Sequence, residues 1–151
     1  MTIRAALTRL ASLSVSGVSH NYDVDSIPDS LNRVQLPALL VLPITPPTSK
    51  ITRTSSDGFQ SIAFSGGART VTVNITHLLL VAPLEAGRGV RTHLPKVVDL
   101  MDAYCAAIAL DPLLNNSLLE PAQVHLEPGD YPYGHATYHG CAFRHTWIIQ
   151  V

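Results

Sequence analysis

Charge is scarce in this chain. Only 14% of its 151 residues are Asp, Glu, Lys or Arg, against a usual share of about 25%. A surface so poor in ions suits a subunit whose faces are covered by neighbours. Positive charge is neither abundant nor clustered: ten Lys and Arg stand against eleven Asp and Glu, for a formal net charge of −1. Only Lys50 with Arg53, and Arg88 with Arg91, sit close together. A free-standing nucleic-acid binder, which needs a basic face, is thereby disfavoured. Cysteine is nearly absent, so no disulfide framework exists; Cys105 on an apolar helical face and Cys141 in a strand pattern read as buried thiols. No run approaches the roughly 18 uncharged apolar residues of a membrane span. The N-terminal apolar run is broken by Arg9 and shows no cleavage site, so the expectation is a protein made in the cytosol.

What is present is apolar material, 46% of the chain, enough for one core without metal or disulfide at this length. Ile3, Ala6, Leu7, Leu10 and Leu13 recur at helical spacing, with Thr2 as cap and Gly17 as stop. A polar connection follows, in which Asp29-Ser30-Leu31-Asn32 suits a short helical turn. The run Ala38-Leu39-Leu40-Val41-Leu42, fenced by Pro37 and Pro43, predicts a strand buried on both faces. Residues 46–58 are either a mobile loop or the arms of a protruding hairpin. Phe59 to Phe64 alternates as a strand, and Gly66-Gly67 supplies a turn. Val71, Val73, Ile75, Leu79 and Val81 share one parity of the strongest strand, which becomes apolar on both faces from Leu78 to Ala82. A second helix is expected from a cap at Thr92, with Pro95 in its first turn and Asp111-Pro112 at its end. Its stripe is Leu94, Val97, Val98, Met101, Cys105 and Ile108. Gln123 to Glu127 alternates, Pro128-Gly129-Asp130 reads as a turn, Tyr131 to His139 as irregular, and Ala142 to Val151 as a closing strand. The fold class is therefore α+β, one domain over residues 1–151. A mixed, mainly antiparallel sheet of about five strands carries two helices on one face.

Chemistry is sparse. His135, His139 and His145 share parity in an extended segment, but residues four apart on a strand lie about 13 Å from each other, too far to share an ion. No serine sits in a G-x-S-x-G elbow, and Ser65-Gly66-Gly67 joins two strands without the helix an anion site needs. Asp99 and Asp102 fall off the helical stripe, on a solvated face, and Asp23 and Asp25 lie in a loop. No catalytic residue, metal ligand or cofactor site emerges, and enzyme activity is not expected. Tyr131, Tyr133 and Tyr138 concentrate apolar bodies with polar tips. They are candidates for an interface, or for a loop folded over the domain's own core.

Several phrases together carry a resemblance. They are Asn21-Tyr22-Asp23-Val24-Asp25-Ser26-Ile27-Pro28 after a short helix, Leu36-Pro37-Ala38-Leu39-Leu40-Val41 entering a strand, and His77-Leu78-Leu79-Leu80-Val81 in a long strand. Val97-Val98-Asp99-Leu100-Met101-Asp102 follows in a helix, and Tyr138-His139-Gly140-Cys141-Ala142-Phe143 in a closing strand. Over most of its length the chain resembles the tail terminator and related neck proteins of long-tailed phages. The resemblance implies a structural virion protein whose six-fold ring, a homohexamer, caps the tail-tube protein and docks the tail to a connector or stopper protein of the head. It implies no catalytic residue. DNA would pass through the ring as cargo, and Lys50 and Arg53 are candidates to face that lumen. A different head-completion or connector-adaptor protein, and a small ligand-binding domain, are the other readings.

Overall fold

A computed structural model describes residues 2–43, 58–64, 69–84 and 90–150. Helix α1 (Ile3–Ala11) leads into strand β1 (His20–Tyr22), a 3-10 turn at Arg33–Gln35 and strand β2 (Ala38–Leu42). Strands β3 (Gly58–Phe64) and β4 (Arg69–Pro83), helix α2 (Leu94–Leu110), and strands β5 (Gln123–Tyr133) and β6 (Ala136–Gln150) follow. The six strands form one sheet in the order β1-β2-β4-β6-β5, with β3 also on β4. β1 runs parallel to β2 and every other pairing is antiparallel. The fold is α+β, as the alternation of apolar patterns predicts.

The sheet has two unequal cores. On one face, odd-numbered residues of β4 and β6, among them Val73, Ile75, Leu79, Phe143, Trp147 and Ile149, meet Leu7 and Leu10 of α1 and Val97, Leu100 and Tyr104 of α2. On the other, Leu40, Leu42, Leu78 and Leu80 meet Tyr131, Tyr133 and Tyr138 under a cover of Tyr22, Ile27, Leu31 and Leu36. β2 lies between both, which is why all five of its residues are buried.

Several local expectations shift. α1 ends at Ala11 rather than running on to Gly17, because Asn21 reaches across to the carbonyls of Leu10 and Leu13 and Ser12 closes the last turn. Gly17 serves elsewhere, at φ +88°, with the Leu100 methyl only 2.9 Å from where a Cβ would stand. The short turn falls at Arg33–Gln35 instead of residues 29–32, with Gln35 Oε1 accepting from the Asn32 amide at 2.8 Å. Thr92 is already wound into the 3-10 turn Val90–Thr92, so the N-cap of α2 passes to His93. Pro128-Gly129-Asp130 does not turn: β5 continues through it because an edge strand tolerates a proline that has no amide to pair. The chain reverses at Gly134 (φ +59°) instead, and β6 starts six residues earlier than expected, at Ala136 rather than Ala142.

Candidate functional site

The residues singled out from the sequence do not converge. Lys50, Arg53 and the 46–57 part of the loop lie outside the described residues. Tyr131, Tyr133 and Tyr138 are not an exposed interface. The parity of β5 and β6 directs all three into the second core, where their hydroxyls donate to the carbonyls of Glu127, Pro28 and Leu31. Burial pushes the Tyr131 phenol up to about 12. Tyr133 and Tyr138 thereby fasten the 22–36 cover to the sheet. Cys141 is buried as expected, but Cys105 is exposed, and neither is bonded.

What the fold does assemble is a line of polar side chains inside the helix-covered core. His77 follows the inward parity of β4, His145 and Trp147 that of β6, and Tyr104 comes from the buried face of α2. The hydrogen-bond directions follow from one end. Trp147 Nε1 can only donate, so His145 Nδ1 accepts at 3.2 Å and carries its proton on Nε2. That proton goes to Tyr104 Oη at 2.6 Å. The phenol in turn donates to His77 Nδ1 at 2.7 Å, and His77 Nε2 donates to Asn21 Oδ1 at 2.8 Å. Asn21 Nδ2 ends the line on the carbonyls of Leu10 and Leu13, at 3.2 and 3.3 Å. Every donor in this line has an acceptor only while both imidazoles are neutral. Burial keeps them so: it lowers His77 well below its ordinary value, helped by His145, and lowers His145 to about 3. Burial likewise raises Tyr104 well above its usual range, with the neighbouring thiols adding to it. Both ends of the line are closed by protein groups, so its chemistry is structural. It ties the end of α1, β1, β4, α2 and β6 into one register.

Two surface features flank this line. The apolar sector of α2 is wider than the face it buries. Val97, Leu100, Tyr104, Ala107 and Ile108 point into the core, whereas Leu94 and Val98 stay 43% and 45% exposed. The stripe read from the sequence therefore divides: Val97 and Ile108 are buried and Met101 packs partly against the core, whereas Leu94, Val98 and Cys105 are exposed. The buried arc lies to one side of these three because Leu100, Tyr104 and Ala107 pull the helix round. Between this flank and edge strand β5 runs an apolar groove of about 260 Å³, lined by Cys105, Ile108, Ala122, Val124 and Leu126.

Nearer the start of α2 lies a recess of about 180 Å³, walled by Leu94, Val97, Pro128, Gly129, Asp130, His139 and Gly140. Asp130 and His139 are a cross-strand pair, and His139 Nδ1 lies 2.8 Å from Asp130 Oδ1. The other ring nitrogen, Nε2, is buried and has no partner among the described residues. The His93 ring sits against that of His139, with centroids 5.1 Å apart. His139 and His145 are thus set to different tasks, and His135 is exposed beside the hairpin turn. Among the described residues no three His, Cys, Asp or Glu side chains come together as a metal site. None of the described helices is long and apolar enough to cross a membrane.

No protein-family model, curated protein or solved structure matches the chain.

Proposed function

We infer that this protein works by assembly rather than catalysis, packing on copies of itself through the flank of α2 beside β5. The observation that carries the reading is the surplus apolar flank of α2, Leu94, Val98 and Cys105, set beside an apolar groove at an open sheet edge. A helix that shows apolar side chains to water beyond those its own core needs has them covered by a neighbour. An edge strand adjoining that flank extends the contact surface. The low charge of the whole chain fits the same end. The specific assembly is the ring of a long-tailed phage neck, where the subunit caps the tail tube and joins it to the head's connector. The element order of helix, strand, paired strands, long strand, helix and closing strands supports this, since it is the layout on which the resemblance to tail terminators rests. A ring closes through heterologous contacts, so the α2 flank would meet a different face of the next subunit.

The test is negative-stain imaging of the purified protein, alone and mixed with a tail-tube protein, beside a Leu94→Glu/Val98→Glu variant. Rings or tubes capped at one end in the wild type, and lone subunits with unchanged thermal stability in the variant, are the expected outcome. Wild-type protein that stays monomeric and never touches the tube overturns the reading. Wild-type protein that binds a head connector and ignores the tube moves it to another position in the neck.

A further inference from the structure

We propose that the recess between the start of α2 and the β5–β6 hairpin binds a small molecule of phenol size: an apolar body carrying one hydrogen-bond donor, which it gives to His139 Nε2. This goes beyond assembly and does not depend on it. The His139 side chain is only 5% exposed and Nε2 has no partner among the described residues, although buried polar nitrogens are nearly always paired. Asp130 decides what that nitrogen does. Its carboxylate accepts from Nδ1 at 2.8 Å, which fixes the proton on Nδ1 and leaves Nε2 of the neutral ring as an acceptor. The same orienting of an imidazole by a carboxylate elsewhere prepares a histidine to act through its far nitrogen. Buried and unpaired, an acceptor of this kind is costly, and a ligand that supplies a donor recovers that cost.

The rest of the recess sets the body of the ligand. Leu94, Val97 and Pro128 make its walls apolar, and Gly129 and Gly140 add bare backbone to its lining. Its volume of about 180 Å³ is close to that of apolar cavities that take a single benzene ring, roughly 150 Å³. Gly140 has no freedom to become larger: a Cβ there would stand 1.9 Å from the Leu79 carbonyl oxygen. The His93 ring, half-buried and in contact with His139, stands beside the recess. What sets this recess apart is that His139, on its wall, is oriented by Asp130 and holds a buried nitrogen with no partner among the described residues.

The experiment uses phenol and toluene, which share a shape and differ in the donor. The full chain labelled with nitrogen-15 is titrated with each while the imidazole nitrogen resonances of His139 are followed. Phenol is expected to move the Nε2 resonance of His139 saturably and to bind roughly tenfold tighter than toluene, the preference one hydrogen bond supplies. Asp130→Leu, which releases the tautomer, should reduce that preference. His139→Phe should abolish it while leaving the Tyr104, His77 and His145 resonances in place. Equal binding of phenol and toluene, or no movement of His139 with phenol, overturns the proposal. If His139→Phe does not fold, the Asp130→Leu comparison and the wild-type resonances decide alone.

Discussion

Strand β6 carries two buried histidines on the same face, six positions apart, and they are finished differently. His145 is matched on both nitrogens, by Trp147 and Tyr104, in a line that closes on the backbone of α1. His139 is matched on one nitrogen by Asp130 and left open on the other. The first arrangement has no place for an incoming group, and its value lies in fixing how five elements meet. The second keeps an oriented acceptor beside a hollow. Burial is the same for both histidines; what differs is the count of satisfied nitrogens.

The comparison breaks most visibly with pH. His145 titrates at about 3 in the folded protein and near 6.5 in the unfolded chain. Above pH 6.5 both states are neutral and nothing depends on it. Below that, the unfolded chain gains a proton that the folded one refuses, so stability falls as pH falls. The loss is about 1.4 kcal/mol per pH unit, reaching about 5 kcal/mol by pH 3. His77, also lowered, acts in the same direction. Urea unfolding at steps from pH 7 to 4.5 should show this decline, and a His145→Phe variant should make it shallower, leaving the share of His77. A stability that stays level to pH 4.5 would show that the closed line is not held neutral.

Tyr104→Phe is the next largest effect. It keeps the ring stacked on Phe143, whose centroid is 3.6 Å away, and removes only the hydroxyl. That leaves the His145 Nε2 proton and His77 Nδ1 without partners in a closed space. Two unsatisfied buried groups cost about 3 kcal/mol together, read as a lower urea midpoint at unchanged slope. The counterpart at the open site, His139→Leu, removes a nitrogen that had no partner and returns Asp130, itself half-exposed, to water. Its stability should stay within about 1 kcal/mol of wild type. If the two substitutions cost the same, the distinction between a closed and an open histidine fails.

Much of the frame was legible in the sequence because strand and helix periods are strong here. The double-sided run Ala38–Leu42 and the long alternation before Pro83 both became the strands they describe. The site was not legible, for two physical reasons. His77 lies on the inward parity between Ile75 and Leu79, a signal that it is buried, but its partners Asn21 and Tyr104 are 56 and 27 positions away and only the folded sheet aligns them. The second reason is α2. Leu94, Val98, Met101 and Cys105 make a regular apolar stripe, and so do Val97, Leu100, Tyr104 and Ile108. Period alone cannot choose between neighbouring stripes on one helix; the packing of Tyr104 against Phe143 does. Pro128 misled in the same way, since a proline signals a turn unless the strand lies at an edge.

That choice of stripe has a direct readout in the two thiols, the mildest perturbation of all. Cys105 lies on the stripe left outside, and Cys141 on β6 between the two histidines, where burial pushes its thiol up to about 12. A thiolate is the reacting species, so an aromatic disulfide reagent at pH 8 should modify one cysteine at once. The second should react only as fast as the sheet opens. Cys105→Ser should remove the fast phase and change stability by less than about 0.5 kcal/mol. Once subunits pack on the α2 flank, Cys105 should itself become slow. A fast phase that survives assembly at full amplitude would place the subunit contact elsewhere on the molecule. The buried arc of α2 would still stand, since the slow phase at Cys141 reports the core beneath that arc and not the flank.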